Sequence, residues 1–180
     1  MNTYIAILRG INVSGTKPIK MEELRLTFQK LGFENIATYI QSGNVVFNAA
    51  ETSTSELAAK IAEAIKTDFG FDVPVIVLSC EELNETVENN PLNTGTKDEA
   101  FLHVTFLAEK PAAFNFSEIE AKKQGEEEIV ISEKAVYLFC PHGYGKTKLT
   151  NTFFESKLKV AATTRNWKTC GELLRMTAQT

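Results

Sequence analysis

Cations placed beside glycines are the residues of this chain best suited, by type and spacing, to bind an anion. The segment 8–13, Leu-Arg-Gly-Ile-Asn-Val, puts Arg9 and Asn12 directly after a run of apolar residues. Because glycine lets a ligand approach the backbone closely, this composition favours recognition of an anionic or polar group by Arg9 and Asn12. The alternative is a surface loop in which Arg9 caps backbone carbonyls or pairs with an acid.

A second polar segment, 39–44, reads Tyr-Ile-Gln-Ser-Gly-Asn. Gln41, Ser42 and Asn44 can offer hydrogen-bonding groups to a ligand beside the Arg9 loop. Ser, Gly and Asn are also the residues that tight hairpin turns favour, so a turn alone explains the same composition. Both interpretations stay open for these three residues.

The segment 143–148, Gly-Tyr-Gly-Lys-Thr-Lys, lies between a predicted strand and a predicted helix. In that context, backbone amides at a helix N-terminus can meet a phosphate. A Walker A motif would require glycine where this chain has Cys140, which excludes that motif. A looser anion site formed by Gly145, Lys146 and Lys148 is compatible with the sequence. The alternative is a glycine-bearing turn with solvated lysines.

The segment 163–167, Thr-Thr-Arg-Asn-Trp, contains the only tryptophan of the chain. Arg165 and Trp167 can stack on a nucleobase while Asn166 reads its edge. In the alternative, Trp167 closes the core, Asn166 caps a helix and Arg165 forms an ion pair. The alternative is favoured here because buried aromatic residues usually serve packing.

Signals for nucleophilic or metal chemistry are weak. Cys140 and His142 are separated by one residue, yet no Cys-His-Asn signature surrounds them. His103 and His142 are the only histidines, and their spacing matches no metal motif, so we expect no metal site and no cofactor. Three cysteines without a CxxC pair favour reduced thiols in a cytoplasmic protein.

Charge is distributed unevenly along the chain. Residues 1–20 carry a net charge of +3 and residues 141–180 carry +5, whereas residues 21–140 carry −12 and the whole chain −4. Strong, sequence-independent binding of nucleic acid depends on many phosphate contacts, so this acidic balance argues against it. The two basic ends are where a smaller anion would bind.

Hydrophobic periodicity predicts the order β-α-β-β-α-β twice. In the first half, helices are predicted over about 20–31 and 55–68, and strands at 3–8, 36–40, 45–48 and 73–78. A short helix at 81–88 and a polar stretch at 89–99 follow. In the second half, helices are predicted at 112–123, 147–158 and 168–178, and strands at 101–107, 128–132, 135–140 and 160–163.

This order indicates an α+β fold of two tandem ferredoxin-like (βαββαβ) units with antiparallel sheets and a C-terminal helix. We expect the first unit at residues 1–90 and the second, with the helix, at 100–180, or one compact unit that contains both. In such a unit the first and second strands run parallel, as do the third and fourth. The Arg9 loop should therefore neighbour the 41–44 turn, and 141–148 should neighbour 164–167.

We further expect these two basic clusters to line one cleft for an anionic ligand, or to leave a smaller site within one half. The expectation comes from charge, because cations brought together are stabilised by acids or by a bound anion.

The segments described above resemble those of the domain-of-unknown-function 1697 family. The resemblance covers most of the chain and is carried by ordered motifs at 8–13, 21–24, 38–47, 143–151 and 163–167. It implies an α/β fold of ferredoxin-like units but no activity, because the family has no established one. Members often have Gly-Arg-Ser or Gly-Lys-Ser where this chain has Gly145-Lys146-Thr147, so a cation followed by a hydroxyl is kept. Relatives often have another small residue at Cys170, which argues against a catalytic thiol there.

The function we favour from the sequence is binding of a phosphorylated small molecule, a nucleotide or a short nucleic-acid segment. An enzyme of phosphoryl or nucleotide chemistry is the alternative, although no carboxylate cluster for Mg²⁺ lies near either basic segment. A third hypothesis is a protein-interaction module without a ligand. We expect a cytoplasmic protein that does not enter membranes, because no segment resembles a signal peptide or a transmembrane helix.

Overall fold

A computed structural model describes all 180 residues of the chain as two compact units. Unit 1 comprises Met1–Asn84 together with Glu172–Thr180, and unit 2 comprises Glu85–Gly171. These units differ from the division expected from the sequence, since residues 172–180 belong to unit 1 and the polar stretch 89–99 belongs to unit 2. That stretch is not a free linker: Leu92 is buried, and its backbone N–H donates to the Asn90 side chain at 2.9 Å.

Unit 1 contains the predicted order of strands and helices, followed by a further helix that crosses the unit boundary. Its elements are β1 (Asn2–Leu8), α1 (Met21–Lys30), β2 (Glu34–Tyr39), β3 (Asn44–Ala49), α2 (Thr54–Phe69), β4 (Val75–Ser79) and α3 (Cys80–Glu88). The strand order is β2-β3-β1-β4, and each neighbouring pair is antiparallel. This is the ferredoxin-like arrangement.

The core of unit 1 forms where α1 and α2 pack on one face of the sheet. Apolar residues recur at intervals of three and four along both helices and meet alternate residues of β1 and β3. Members of this core are Tyr4, Ala6, Leu8, Leu24, Phe28, Val45, Phe47, Leu57, Ile61 and Ile65. The other alternate residues, Ile5, Ile7 and Val46, are fully buried as well. A ligand therefore has access to the loops at the sheet ends and not to the central strands.

Unit 2 repeats the arrangement. Its elements are β5 (Leu102–Leu107), α4 (Phe116–Glu120), β6 (Glu128–Ile131), β7 (Ala135–Phe139), α5 (Asn151–Leu158), β8 (Ala162–Asn166) and α6 (Trp167–Thr177), whose last residues are assigned to unit 1. The order β6-β7-β5-β8 is again antiparallel throughout. The α+β class, with tandem ferredoxin-like units and a C-terminal helix, is thus confirmed.

Three element boundaries of unit 2 differ from the predicted ones. The helix α4 is shorter than 112–123, because Asn115 caps its start by accepting a hydrogen bond from the Ser117 N–H at 3.1 Å. The helix α5 begins four residues later than predicted, where the Thr150 hydroxyl accepts a hydrogen bond from the Phe153 N–H at 3.2 Å. The strand β8 continues to Asn166 because it pairs with β5 along its whole length.

The core of unit 2 packs α4 and α5 on one sheet face, through Leu107, Ile119, Val136, Leu138, Cys140, Leu149, Phe154 and Leu158. The alternate residues Leu102, Val104 and Phe106 of β5 are fully buried too. None of the helices is both long and apolar enough to cross a membrane.

Candidate functional site

In unit 1, the loops after β1 and β2 meet at one end of the sheet, as the strand directions require. The Leu8 N–H donates to the Gly43 carbonyl at 2.8 Å, and the Asn12 side-chain amide donates to the Gln41 carbonyl at 2.8 Å. The structure therefore brings together the segments that carry Arg9, Asn12, Gln41, Ser42 and Asn44.

The side chain of Asn12 holds the backbone of this loop in place. Its Nδ2 also donates to the Ile19 carbonyl at 2.8 Å, while its Oδ1 accepts from the Ile19 N–H at 2.8 Å. These bonds join both ends of the loop to the 41–44 turn. The amide of Asn12 is thus engaged by backbone groups, and a ligand would have to compete with them.

Asn44 has a comparable role in the turn. It is fully buried, and its Nδ2 donates to the Tyr39 carbonyl and to the Ser42 hydroxyl, each at 3.0 Å. Ser42 is half-buried, and Gln41 is the exposed side chain of the turn. Of the residues predicted to bind a ligand here, Gln41 is therefore the most accessible.

Positive φ angles accumulate in the same two segments of unit 1. Asn12, Ser14, Lys17 and Ile40 adopt φ between 45° and 54°. Ile40 is the most unusual of them, because a β-branched residue is rarely found in the left-handed region, and its side chain is 50% exposed. Such backbone strain persists only where the surroundings hold it, and here the Asn12 and Asn44 bonds do so.

The cations of this cluster are connected to the chain. The Arg9 side chain is half-buried, and its backbone N–H donates to the Pro74 carbonyl at 3.0 Å. Lys17 Nζ donates to the Asp72 carbonyl at 2.6 Å. Pro74 itself precedes the edge strand β4, the position that its missing N–H favours.

In unit 2, the segments 143–148 and 163–167 are linked through His103, for which the sequence suggested no role other than metal binding. His103 of β5 lies opposite Asn166 of β8, and its ring stacks on Tyr144 with centroids 4.8 Å apart. Burial lowers the pKa of His103, so the ring is neutral at pH 7. No local motif marks this role, because it depends on pairing between distant strands.

The segment 143–148, which we call the lysine loop, has a fixed backbone. Gly143 has φ 93°, and a short 3₁₀ turn at Tyr144–Lys146 follows. The Lys146 N–H donates to the Gly143 carbonyl at 3.1 Å, and the Thr147 N–H donates to the Tyr144 carbonyl at 3.2 Å. Because α5 starts only at Asn151, the lysines precede the helix and do not lie in its first turn. The loop is therefore unlike a Walker A loop in geometry as well as in sequence.

The two lysines of the loop are solvated and have no counter-charge. Lys146 and Lys148 are exposed, and neither forms an ion pair or a side-chain hydrogen bond. Elsewhere in unit 2, Lys110 pairs with Glu133 at 2.9 Å and Lys157 pairs with Glu118 at 2.8 Å. The lysine loop is thus a local positive site within an acidic protein.

The residues at the end of β8 are largely integrated into the fold. The Asn166 side chain accepts a hydrogen bond from the Thr169 N–H at 2.8 Å and so caps α6, and Trp167 is only 9% exposed. Arg165 is half-buried and donates to the Thr164 carbonyl at 3.0 Å. Burial lowers the pKa of Arg165 to about 10, which leaves the guanidinium charged at neutral pH.

A ladder of hydroxyl groups that no sequence motif indicates joins β5, β8 and α5. The Thr105 and Thr164 hydroxyls are 2.7 Å apart, and Thr164 donates to Asn151 Oδ1 at 2.6 Å. Thr105 is fully buried. The ladder fixes the start of α5 against the sheet, and with it the C-terminal end of the segment that carries the lysine loop.

The thiols are poorly suited to nucleophilic chemistry. Burial raises the pKa of Cys140 to about 11, with the nearby Glu127 carboxylate adding to the effect. Burial likewise raises the pKa of Cys170 to about 12. Thiols with such pKa values are protonated and unreactive at neutral pH. No group of three or more His, Cys, Asp and Glu side chains is arranged to hold a metal ion.

Comparison with known proteins agrees with this description. A family model described as a protein of unknown function (DUF1697) matches residues 1–137. A conserved bacterial protein, SP0830 from Streptococcus pneumoniae, has a similar structure, with a TM-score of 0.75, 25% sequence identity and 98% of each chain covered. No curated protein matches the chain. Since the family model spans more than half of its residues, the chain belongs to the DUF1697 family of proteins of unknown function.

Proposed function

We propose that this protein binds a phosphate-bearing ligand through the lysine loop of unit 2. The ligand is a phosphorylated small molecule, a nucleotide or a short nucleic-acid segment. One observation carries the proposal: Lys146 and Lys148 project from a loop of fixed backbone into solvent without any acidic partner. As part of the same proposal, the protein works in the cytoplasm, where its three free thiols stay reduced.

The lysine loop holds two like charges close together. Two ammonium groups held on one short segment repel each other, and the repulsion is relieved by an acid or by a bound anion. Paired lysines such as Lys110 and Lys157 have their acid within the protein, whereas Lys146 and Lys148 do not. A bound phosphate would supply the missing charge, with charge-assisted hydrogen bonds to both ammonium groups.

Other residues of unit 2 fit this proposal to different degrees. Gly145 is exposed, so it leaves room for a ligand to approach the backbone of the turn. Arg165 fits less well, because it lies opposite Val104 of β5 and so faces the other side of the sheet from the His103 ring. The structural bonds of Asn166 and the burial of Trp167 leave these two side chains with a supporting role.

In unit 1, a separate contact to a polar ligand is proposed for the 41–44 turn and the Arg9 loop. Gln41 is its most exposed member, and Ser42 and Arg9 are half-buried. Asn12 and Asn44 would hold the backbone of this contact and would not touch the ligand, because their amides are engaged by backbone groups.

The buried sheets favour a compact anion over a base-stacking mode. Proteins that bind single strands on a β-sheet need exposed aromatic residues on its face. Here alternate residues on both faces of β1, β3 and β5 are buried. A nucleic-acid segment would therefore be recognised by its phosphate at the loops.

The test is a thermal-shift screen with phosphate, sulfate, nucleotides and sugar phosphates. At a concentration of ten times Kd, a ligand bound only by the folded state adds about 1.4 kcal/mol of stability, which raises the melting temperature by about 3–6 °C for a chain of this size. We expect this shift in the wild type and its loss in Lys146→Ala and Lys148→Ala. Lys20→Ala is the matched control, because Lys20 is also exposed and is not ion-paired.

A screen in which no anion stabilises the wild type would contradict the proposal, as would an equal loss in the Lys20→Ala control. In the first case a protein-interaction module becomes the favoured function. A partner would then be sought at the groove of about 530 Å³ in unit 1 that runs beside the edge strand β2. A phosphate-bearing ligand that is consumed in the screen would instead favour an enzyme.

A further inference from the structure

The side chains of the lysine loop alternate between solvent and core. Thr147 has an extended backbone, with φ −74° and ψ 153°, and it is 8% exposed, whereas Lys146 and Lys148 on either side are exposed. Because the residue between them is extended, the Cα atoms of the two lysines are about 6.6 Å apart. Thr147 faces the core and both lysines are exposed, so their side chains lie on the solvent side of the loop.

Thr147, the buried residue between Lys146 and Lys148, fixes the backbone that carries the two lysines. The Thr147 hydroxyl accepts a hydrogen bond from the Leu149 N–H at 3.1 Å and adjoins the Cys140 thiol. Leu149 and Cys140 are both fully buried and belong to the core cluster of unit 2. The backbone between the lysines is thus attached to the core through one hydroxyl group.

One acidic residue, Glu127, is buried close to this part of the core and forms no ion pair with the lysines. Glu127 is buried and near the Cys140 thiol, and its Oε2 accepts a hydrogen bond from the Gln124 N–H at 2.8 Å. It forms no ion pair with Lys146 or Lys148. Two positive charges on the solvent side are therefore left for a ligand to balance.

From these contacts, and building on the proposed function, we infer that Lys146 and Lys148 together bind a terminal phosphate monoester through their two ammonium groups. Thr147 is the positioning residue that holds the backbone between the two lysines. A monoester carries up to two negative charges at neutral pH, since its second pKa is about 6. A phosphodiester carries only one. Two unpaired ammonium groups on the solvent side of one loop match the monoester.

Two nucleotides that differ mainly in this respect provide the first test. 5′-AMP has a terminal monoester, and 3′,5′-cyclic AMP has the same base and sugar with a diester. Calorimetry at about pH 7.5 should show 5′-AMP binding about fivefold more tightly, which is what one additional exposed charge contact contributes at most. Lys146→Ala and Lys148→Ala should each abolish this preference, whereas Lys20→Ala should keep it.

The positioning role of Thr147 needs a variant that leaves both lysines in place. Thr147→Val has nearly the same shape without the hydroxyl, and Thr147→Ser retains the hydroxyl. We expect Val to reduce the preference for 5′-AMP to near unity and Ser to keep it. Cys140→Ala removes the other partner of the contact, so it serves as a second variant if Thr147→Val does not fold, and it should also lower the preference.

The outcomes separate the two claims. If both nucleotides bind the wild type equally, the inferred preference for a phosphate monoester is wrong, while the proposed function stands. A preference that is undiminished in Thr147→Val, or in Cys140→Ala where Val does not fold, overturns the positioning role. If neither nucleotide binds and no anion in the thermal-shift screen stabilises the protein, the proposed function itself fails.

Discussion

At the scale of single residues, three asparagines in the candidate segments donate or accept hydrogen bonds with the backbone of their own loops. Asn12 and Asn44 hold the two loops of unit 1, and Asn166 caps α6. A polar side chain that is removed from water must find a partner, and backbone groups in irregular loops need partners as well. A motif rich in Asn and Gly can therefore be maintained by loop geometry, whereas Lys146 and Lys148 of the lysine loop are exposed to solvent.

The three thiols should differ in reactivity. Because burial raises the pKa of Cys140 and Cys170 to about 11 and about 12, both stay protonated at about pH 8, whereas Cys80 is half-exposed. A disulfide reagent should modify one thiol quickly in the native protein and three after unfolding. Cys80→Ser should remove the fast phase. A fast phase that survives in this variant would contradict the burial of the other two.

His103 should make the protein less stable in mild acid. Burial holds the pKa of folded His103 below its ordinary value of 6.5. As the pH falls below about 6.5, the unfolded chain binds a proton that the folded chain does not, so the free energy of unfolding decreases until folded His103 also titrates. Proton NMR of the two histidines measures this directly. Titration of His103 at or above pH 6.5 would contradict the prediction.

At the scale of elements, the meeting of the β1 and β2 loops depends on one glycine. Gly43 has φ 90°, and a Cβ atom there would lie 2.7 Å from the Leu8 Cβ and 2.8 Å from the Ile11 Cδ1. The structure therefore requires glycine at this position both for its backbone conformation and for the close approach of β1.

Gly43→Ala should destabilise the protein by about 3 kcal/mol, from the unfavourable backbone conformation and the overpacking together. Gly10→Ala is the matched control, because Gly10 has φ 79° and no atom within 4 Å of a Cβ placed there. We expect it to cost about 1–2 kcal/mol from the backbone alone. Urea unfolding measures both values, and equal losses would show that the Gly43 contacts are not as tight as described.

Most elements could be predicted from periodicity because their cores are built on regular spacing. The helices α1 and α2 and the strands of unit 1 were predicted within about two residues, and strand direction alone predicted that the two loop pairs meet. The end of β8 could not be predicted, because Thr164–Asn166 is polar and becomes a strand only through pairing with β5. The start of α5 depended on the cap at Thr150, and the assignment of residues 172–180 depends on non-local packing.

The candidate site was less predictable than the fold, for a local reason. The sequence identified Lys146 and Lys148 from their charge and neighbouring glycines, and the structure leaves both exposed. It could not tell whether the amides of Asn12 and Asn44 face a ligand or a carbonyl, since the same residue types serve both purposes. The stacking of His103 on Tyr144 joins residues far apart in the chain, and no short motif indicates it.

At the scale of the whole molecule, the charge distribution favours binding of small anions over binding of long polyanions. The chain has a net charge of −4, and residues 21–140 carry −12, so a long polyanion meets repulsion that a single phosphate group avoids. We expect no sub-micromolar binding of random duplex DNA at about 0.15 M salt. Fluorescence anisotropy measures this, with a small basic DNA-binding domain as the positive control. Tight binding that weakens steeply with salt would contradict the charge argument.

Binding of a phosphate-bearing ligand at the lysine loop can be observed residue by residue in an amide NMR titration with inorganic phosphate. We expect saturable shifts of the backbone amides of Gly145, Lys146, Thr147 and Lys148, and their loss when both lysines are replaced by alanine. Shifts that do not saturate, or that are equally large at exposed lysines elsewhere such as Lys20, would contradict it.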